Sequence, residues 1–118
     1  MYKKKKVDSK FKTYCFDMDG VICTTKRNYY HKSLPIKKAI KKINEIYSKG
    51  NRVIIFTARF MGRSHENMNL AKKKGYKITH MQLKKWKVKF HKLIFGKPSF
   101  DYLIDDKSIN FKKNEMKV

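Results

Sequence analysis

Apolar and polar positions along this chain follow two periodicities, and together they predict a small α/β protein. Short apolar runs at residues 13–17, 53–56, 90–95 and 101–105 have the length and the β-branched or aromatic content of buried strands. The run at residues 53–56 is apolar at every position, which is typical of a strand covered on both faces. We therefore expect a sheet whose strands are largely buried.

Helical spacing dominates the segment between the first two runs. Pro35 suits the first turn of a helix, and Gly50 is a typical helix end. Between them the apolar residues repeat every three or four positions, which predicts an amphipathic helix with one buried stripe. The stripe consists of Ile36, Ala39, Ile40, Ile43, Ile46 and Tyr47.

Two further helices are predicted after the second strand. Ser64 is a suitable N-cap for a helix that runs to about the residue before Gly75, where glycine would end it. Thr79 and Gln82 have the spacing of a capping box, which predicts a separate short helix over about residues 80–86.

The predicted order of elements is strand, helix, strand, helix, helix, strand, strand, which is typical of a small parallel α/β sheet. A chain of 118 residues is long enough for one domain and too short for two. We expect residues 1–12 to be a basic leader and residues 13–118 to form a single domain. Residues 21–34 have no helical period, so we expect a loop or a small hairpin flap there.

No apolar stretch approaches the roughly 20 residues that a membrane helix needs. The start of the chain is rich in lysine and lacks the apolar core of a secretion signal. We therefore expect a cytoplasmic protein with no membrane partner. Cys15 and Cys23 match neither a zinc-site spacing nor a disulfide framework, and we expect two plain thiols.

The formal net charge of +22 would ordinarily suggest a nucleic-acid partner. Of the 31 basic residues, however, only the four at positions 27, 52, 59 and 63 are arginine, the residue that base reading and bidentate phosphate contacts favour. The lysines are spread over the whole chain rather than gathered in one segment. Nucleic acid is therefore an open but not a favoured partner.

Four of the nine acidic residues form two tight pairs, Asp17 with Asp19 and Asp105 with Asp106. Each pair directly follows an apolar run. Clustered carboxylates repel each other and raise one another's pKa, so a cation is expected between them. A hard divalent ion with oxygen ligands, such as Mg²⁺, is the simplest candidate and points to phosphate chemistry.

The carboxyl ends of parallel strands meet at one edge of a sheet, where open α/β folds bind their ligands. Asp17, Thr57 and Asp105 each end an apolar run, and Lys97 lies just after another. These four side chains are therefore expected to converge on one site.

Four segments resemble, in order, the four motifs of the haloacid dehalogenase superfamily of phosphatases: residues 16–21 (FDMDGV), 55–59 (IFTAR), 96–98 (GKP) and 103–106 (LIDD). The resemblance spans about residues 13–107 and is strongest to small stand-alone phosphatases of capsule and surface-polysaccharide synthesis. It implies a Rossmann-like, three-layer α/β/α fold. The gaps between the motifs are filled by predicted helices, so the resemblance further implies an enzyme without a cap domain.

The resemblance also implies the roles of the site residues. Asp17 would attack phosphorus and become a transient aspartyl-phosphate, and Asp19 would protonate the leaving oxygen and then activate water. Arg59 is expected either to reach the substrate or to pair with an acidic residue on the surface. The residues expected to bind the substrate phosphate are Thr57, Ala58, Arg59 and Lys97.

The same resemblance implies a magnesium site. Its ligands would be Asp17, Asp105 and the main-chain carbonyl of Asp19. Asp106 would either be a further ligand or orient Lys97.

These expectations describe a magnesium-dependent phosphomonoester hydrolase acting on a sugar phosphate or a related small phosphomonoester. Two alternatives remain open, a polynucleotide 3′-end phosphatase and a non-catalytic module that binds phosphate or nucleic acid. Because a site without a cap is open, a neighbouring subunit could close it, which leaves a homo-oligomer among the expected partners.

Overall fold

A three-stranded parallel sheet forms the centre of the protein in a computed structural model that describes residues 11–112. Its strands are β1 (Thr13–Asp17), β4 (Arg52–Thr57) and β5 (Lys92–Phe95), and β4 lies in the middle. In the strand register Asp17 lies beside Phe56, and Thr57 lies beside Phe95. The carboxyl ends of all three strands therefore meet at one edge, and the predicted parallel α/β sheet is confirmed.

A small hairpin follows β1 and covers part of that edge. It pairs β2 (Cys23–Thr24) with β3 (Leu34–Pro35) in antiparallel fashion, and a 3-10 turn at Tyr30–Lys32 lies between the two strands. We call residues 20–35 the flap. Its position agrees with the loop or small hairpin predicted for this part of the chain.

The first helix, α1 (Lys37–Ser48), ends just before Gly50 as predicted, but Pro35 does not open it, because Pro35 lies in β3 and Ile36 is the N-cap. Four residues of the predicted apolar stripe are buried in it, and Gly50 beyond its end has a φ of +98°, a conformation that glycine adopts without strain. The pattern of apolar and polar residues was sufficient to predict a helix here, because the burial of its one apolar stripe determines the structure of this segment. The buried residues of the stripe are Ala39, Ile40, Ile43 and Ile46.

The second helix corrects two predictions, because one continuous helix, α2 (Met68–Lys85), replaces the two short ones. Asn67, not Ser64, caps it, and the Asn67 side chain accepts a hydrogen bond from Leu70 N at 3.0 Å. Gly75 lies inside the helix, where a Cβ atom would overlap the Phe60 ring. Glycine is therefore needed at this position for close packing and does not end the helix.

Replacing Gly75 with alanine should lower the free energy of unfolding by about 1 kcal/mol. Alanine gains roughly 1 kcal/mol of helix propensity, but overpacking against Phe60 costs about 1–3 kcal/mol. Urea denaturation of the two proteins measures the difference. Gly62→Ala is the matched control, since no atom lies within 4 Å of a Cβ there, and a stabilised Gly75→Ala protein would contradict the packing argument.

The two crossovers, β1 to β4 and β4 to β5, step in the same direction across the sheet. Since such connections are right-handed, both helices lie on one face. Burial agrees, because Val53, Ile55 and Thr57 are fully buried whereas Ile54 and Phe56 on the other face are only partly buried. Residues 11–112 supply helices to one face only. For these residues the prediction that this run is covered on both faces is therefore wrong, and the expected three-layer α/β/α arrangement is not found.

The predicted fourth strand at residues 101–105 is absent from the described structure. Tyr102 and Ile104 in this segment are 88% and 96% exposed. The Asp105 side chain accepts a hydrogen bond from Lys107 N at 3.0 Å, and such local turns compete with strand pairing. No helix among the described residues is both long and apolar enough to cross a membrane.

Candidate functional site

Asp17 and Lys97 form an ion pair at the carboxyl edge of the sheet. Lys97 directly follows the turn after β5, and its backbone N–H donates to the Thr57 carbonyl at 3.1 Å, which continues the strand pairing. Its Nζ then reaches across the end of β4 to Asp17 Oδ2 at 3.1 Å. The side chains are 17% and 36% exposed, so the pair is partly shielded from water yet open to a ligand.

Burial raises the pKa of Asp17 above its ordinary value, because an apolar surrounding penalises the charged form. The Lys97 charge and the Met18 N–H, which donates to Asp17 Oδ1 at 2.9 Å, oppose this effect. Asp19 contributes a smaller rise through like-charge repulsion. Asp17 is therefore a partly desolvated carboxylate beside one cation, which suits attack on an electrophile.

The raised pKa of Asp17 predicts the pH dependence of any reaction that uses it as a nucleophile. Only the ionised carboxylate attacks, so kcat/KM should fall on acidification through a pKa above that of an ordinary aspartate. Lys97→Met should move this acidic limb to higher pH, because the lysine charge lowers the pKa of Asp17. A kcat/KM profile of both proteins tests this, and a limb that moves to lower pH would contradict it.

The chain turns sharply after Asp17, so that Asp19 lies on a different side of the edge. Met18 between them is fully buried, and Gly20 has a φ of +94°. The turn is closed by Gly20 N, which donates to the Cys23 carbonyl at 2.7 Å. The glycine therefore allows the turn that was expected between the two aspartates.

Arg59 binds the Asp19 carboxylate through two of its nitrogens. Its Nε donates to Asp19 Oδ2 at 2.9 Å, and one terminal nitrogen donates to Asp19 Oδ1 at 2.9 Å. The Thr25 hydroxyl of the flap also donates to Oδ1, at 2.5 Å. Arg59 therefore pairs with an acidic residue, but its side chain is fully buried, so the pair is not the surface pair that was one of the two expectations for it.

The other two residues expected at the substrate phosphate lie at the end of β4. Thr57 is fully buried, and its Oγ1 accepts a hydrogen bond from Arg59 N at 3.1 Å. Among residues 11–112 this is the one side-chain hydrogen bond of Thr57. Ala58 is partly buried, and its carbonyl accepts from Met61 N at 3.1 Å in the turn that follows.

Asp105 and Asp106 are not gathered with the first pair of aspartates. Both are exposed, and they lie on the segment that forms no strand. Among residues 11–112 no group of three or more histidine, cysteine, aspartate or glutamate side chains could hold a metal ion. The described arrangement therefore does not fit the expected magnesium site, although Asp17 supplies one suitable oxygen ligand.

Several polar residues around Arg59 were missed by sequence reasoning. Thr79 and Gln82 accept hydrogen bonds from one of its terminal nitrogens, at 3.1 and 2.6 Å. Ser33 in the flap accepts from the other, at 3.1 Å. The three-residue spacing of Thr79 and Gln82 was a real signal, but it marks one polar face inside a long helix rather than a helix start.

The cysteine thiols do not take part in an obvious reactive site. Both are free; Cys15 is exposed and Cys23 is buried. Burial, reinforced by the nearby Asp19 charge, raises the pKa of Cys23 to about 11. Its thiol is therefore protonated at neutral pH and acts as a small buried group beside Arg59.

A crystal structure of a target protein from Vibrio cholerae has a similar fold. The TM-score is 0.78 and the sequence identity is 25%, and the match covers 84% of this chain and 83% of that one. No protein-family model matches the sequence, and no curated protein is significantly similar to it. The comparison supports the α/β fold.

Proposed function

We propose that the protein is a phosphomonoester hydrolase of the haloacid dehalogenase type, without a cap domain, that works through an aspartyl-phosphate on Asp17. One observation carries the proposal. The carboxyl edge of a parallel sheet brings a half-buried aspartate and a lysine ammonium to 3.1 Å, from positions 80 residues apart in the chain (97 − 17). The four ordered motifs of the sequence support the same activity.

In the first step an oxygen of Asp17 forms a bond to phosphorus as the bond to the leaving oxygen breaks. Asp19 enters this step in its protonated form and gives its proton to the leaving oxygen, and the carboxylate that results is the form that pairs with Arg59. Lys97 offsets the negative charge that the phosphate and the Asp17 carboxylate bring together. The Thr57 hydroxyl, expected from the sequence to donate to a phosphoryl oxygen, is fully buried in the described conformation, so no contact with the substrate is assigned to it. In the second step Asp19 removes a proton from water, whose oxygen bonds to phosphorus and releases Asp17.

Magnesium dependence is a further part of the proposal, and the resemblance of the four motifs is its support. Asp105 and Asp106 are exposed in the described conformation, so no step above is assigned to the ion. β1 is an edge strand of the described sheet, and residues 101–105 have the apolar content of a strand. Pairing of this segment with β1 would complete the family fold.

The proposed substrate class is a sugar phosphate or a related small phosphomonoester, as in polysaccharide synthesis. A polynucleotide 3′-end phosphatase is the second candidate, favoured by the net charge of +22 and by a site that no cap domain covers among residues 11–112. A non-catalytic binding module is the third. The pairing of Lys97 with Asp17 speaks against it, since a module that binds phosphate has no need of a carboxylate there.

A phosphate-release screen with and without Mg²⁺ tests the proposal. Sugar phosphates, nucleotides and 3′-phosphorylated oligonucleotides would be compared at low and high salt. We expect turnover of a small phosphomonoester, at a rate that is nearly the same at low and high salt. Turnover of the oligonucleotide alone, falling steeply with salt, would favour the second candidate, and no turnover of any substrate would contradict an enzyme.

A further inference from the structure

Arg59 is the most extensively bonded side chain of the site, and substrate binding does not explain its contacts. It is 1% exposed. Its Nε and one terminal nitrogen bind Asp19, and its other terminal nitrogen binds Thr79 and Gln82. Together these bonds give every nitrogen of the guanidinium a hydrogen-bond acceptor inside the protein.

The partners of Arg59 belong to three different parts of the fold. Asp19 lies in the turn after β1, Ser33 lies in the flap, and Gln82 lies on α2. Gln82 extends the connection, because its Nε2 donates to the Tyr30 carbonyl in the flap at 2.7 Å. The Tyr30 ring also lies 4.9 Å from the guanidinium carbon, within cation–π range.

The ion pair with Asp19 is required by the burial of the arginine. A buried guanidinium is stable only when it is paired and fully hydrogen-bonded. The planar guanidinium of an arginine is suited to this position, since it can bind both carboxylate oxygens and still reach acceptors on its opposite side. The side chain therefore fixes the direction of the Asp19 carboxylate.

We propose that Arg59 is a positioning residue that holds Asp19 and the flap in fixed places around Asp17, and that it does not bind the substrate. The catalytic part of this inference rests on the proposed function. The attachment of the flap to α2 through Arg59 and Gln82, which we call the clamp, does not. The carboxylate that must exchange a proton with the leaving group is held in place before substrate arrives. A misplacement of about 1 Å in such a group costs about 100-fold in rate.

Kinetics of Arg59→Lys and Gln82→Met test the positioning role. Lysine keeps the charge but loses the planar guanidinium, so kcat should fall by about 100-fold with little change in KM. Gln82→Met removes one acceptor and leaves the ion pair, and it should lower kcat by about fivefold. The inhibition constant of inorganic phosphate should stay within about twofold in both, and a large rise in it with kcat unchanged would assign Arg59 to substrate binding.

Amide hydrogen exchange, followed by mass spectrometry, tests the clamp without any substrate. Exchange in flap peptides should accelerate by at least about tenfold in both variants, because the bonds that join the flap to α2 are weakened. Arg52→Lys is the control, since Arg52 is an exposed arginine at the start of β4, and its flap exchange should not change. Unchanged flap exchange in Gln82→Met would overturn the clamp, even if the wild type proves to be inactive.

Discussion

Replacing Asp17 with asparagine should lower kcat/KM for phosphomonoester hydrolysis by at least about 10⁴-fold. The amide has nearly the same shape as the carboxylate but cannot form the bond to phosphorus. The variant should still fold, because burial already disfavours the charged form of this side chain. Steady-state phosphate release and a circular-dichroism spectrum, measured on the same preparation, give both results.

Asp101→Asn is the matched control for this substitution. Asp101 is exposed and lies in the segment after β5, so its amide should leave kcat/KM within about twofold of the wild type. If Asp17→Asn were as active as this control, another group would have to be the nucleophile. An unfolded Asp17→Asn protein would instead assign the carboxylate a structural role.

Replacing Lys97 with methionine should lower kcat/KM by about 10²–10³-fold, the usual effect of removing one charge-stabilising group from an active site. Methionine keeps much of the length of the side chain and removes the ammonium that lies 3.1 Å from Asp17. Phosphate and the carboxylate would then approach each other with one positive charge fewer. Initial rates at a pH well above the acidic limb measure the effect without interference from the altered pKa of Asp17.

Lys92→Met is the control for the lysine substitution. Lys92 is exposed at the start of β5, at the end of the strand that is remote from the site. Its replacement should have little effect on kcat/KM. With both Asp17 and Lys97 replaced, the loss should be close to that of Asp17→Asn alone, because the two groups act on the same phosphoryl transfer. Equal, small losses in Lys97→Met and Lys92→Met would remove the lysine from the mechanism.

The elements that the sequence predicted well are those decided by local pattern. The strands β1, β4 and β5 each contain one predicted apolar run, and α1 buries one clear stripe. The expected burial of β1 was wrong, because Phe16 alone of its residues is buried. The prediction divided α2 into two helices, because a glycine such as Gly75 usually ends a helix and a threonine in a capping-box spacing, such as Thr79, usually begins one. Contacts with Phe60 and Arg59 decide both positions, and these contacts are distant in sequence.

The site was predictable to the extent that strand ends determine it. Asp17 is the last residue of β1 and Lys97 follows β5 by two residues, and parallel pairing brings them together. The burial of Arg59 was not predictable, because it depends on acceptors from the flap and from α2 that no local motif joins. Asp105 was expected beside Asp17, but that expectation required a fourth strand, which the described residues do not form.

Trapping the phosphoenzyme tests the central claim most directly. The protein would be mixed with the best substrate of the screen, quenched in acid within the first turnover, digested, and examined by mass spectrometry. We predict one added phosphoryl group on the peptide that contains Asp17, labile to hydroxylamine and absent from Asp17→Asn. Phosphate release at the wild-type rate with no phosphorylated aspartate, or with the phosphoryl group on another residue, would contradict the account.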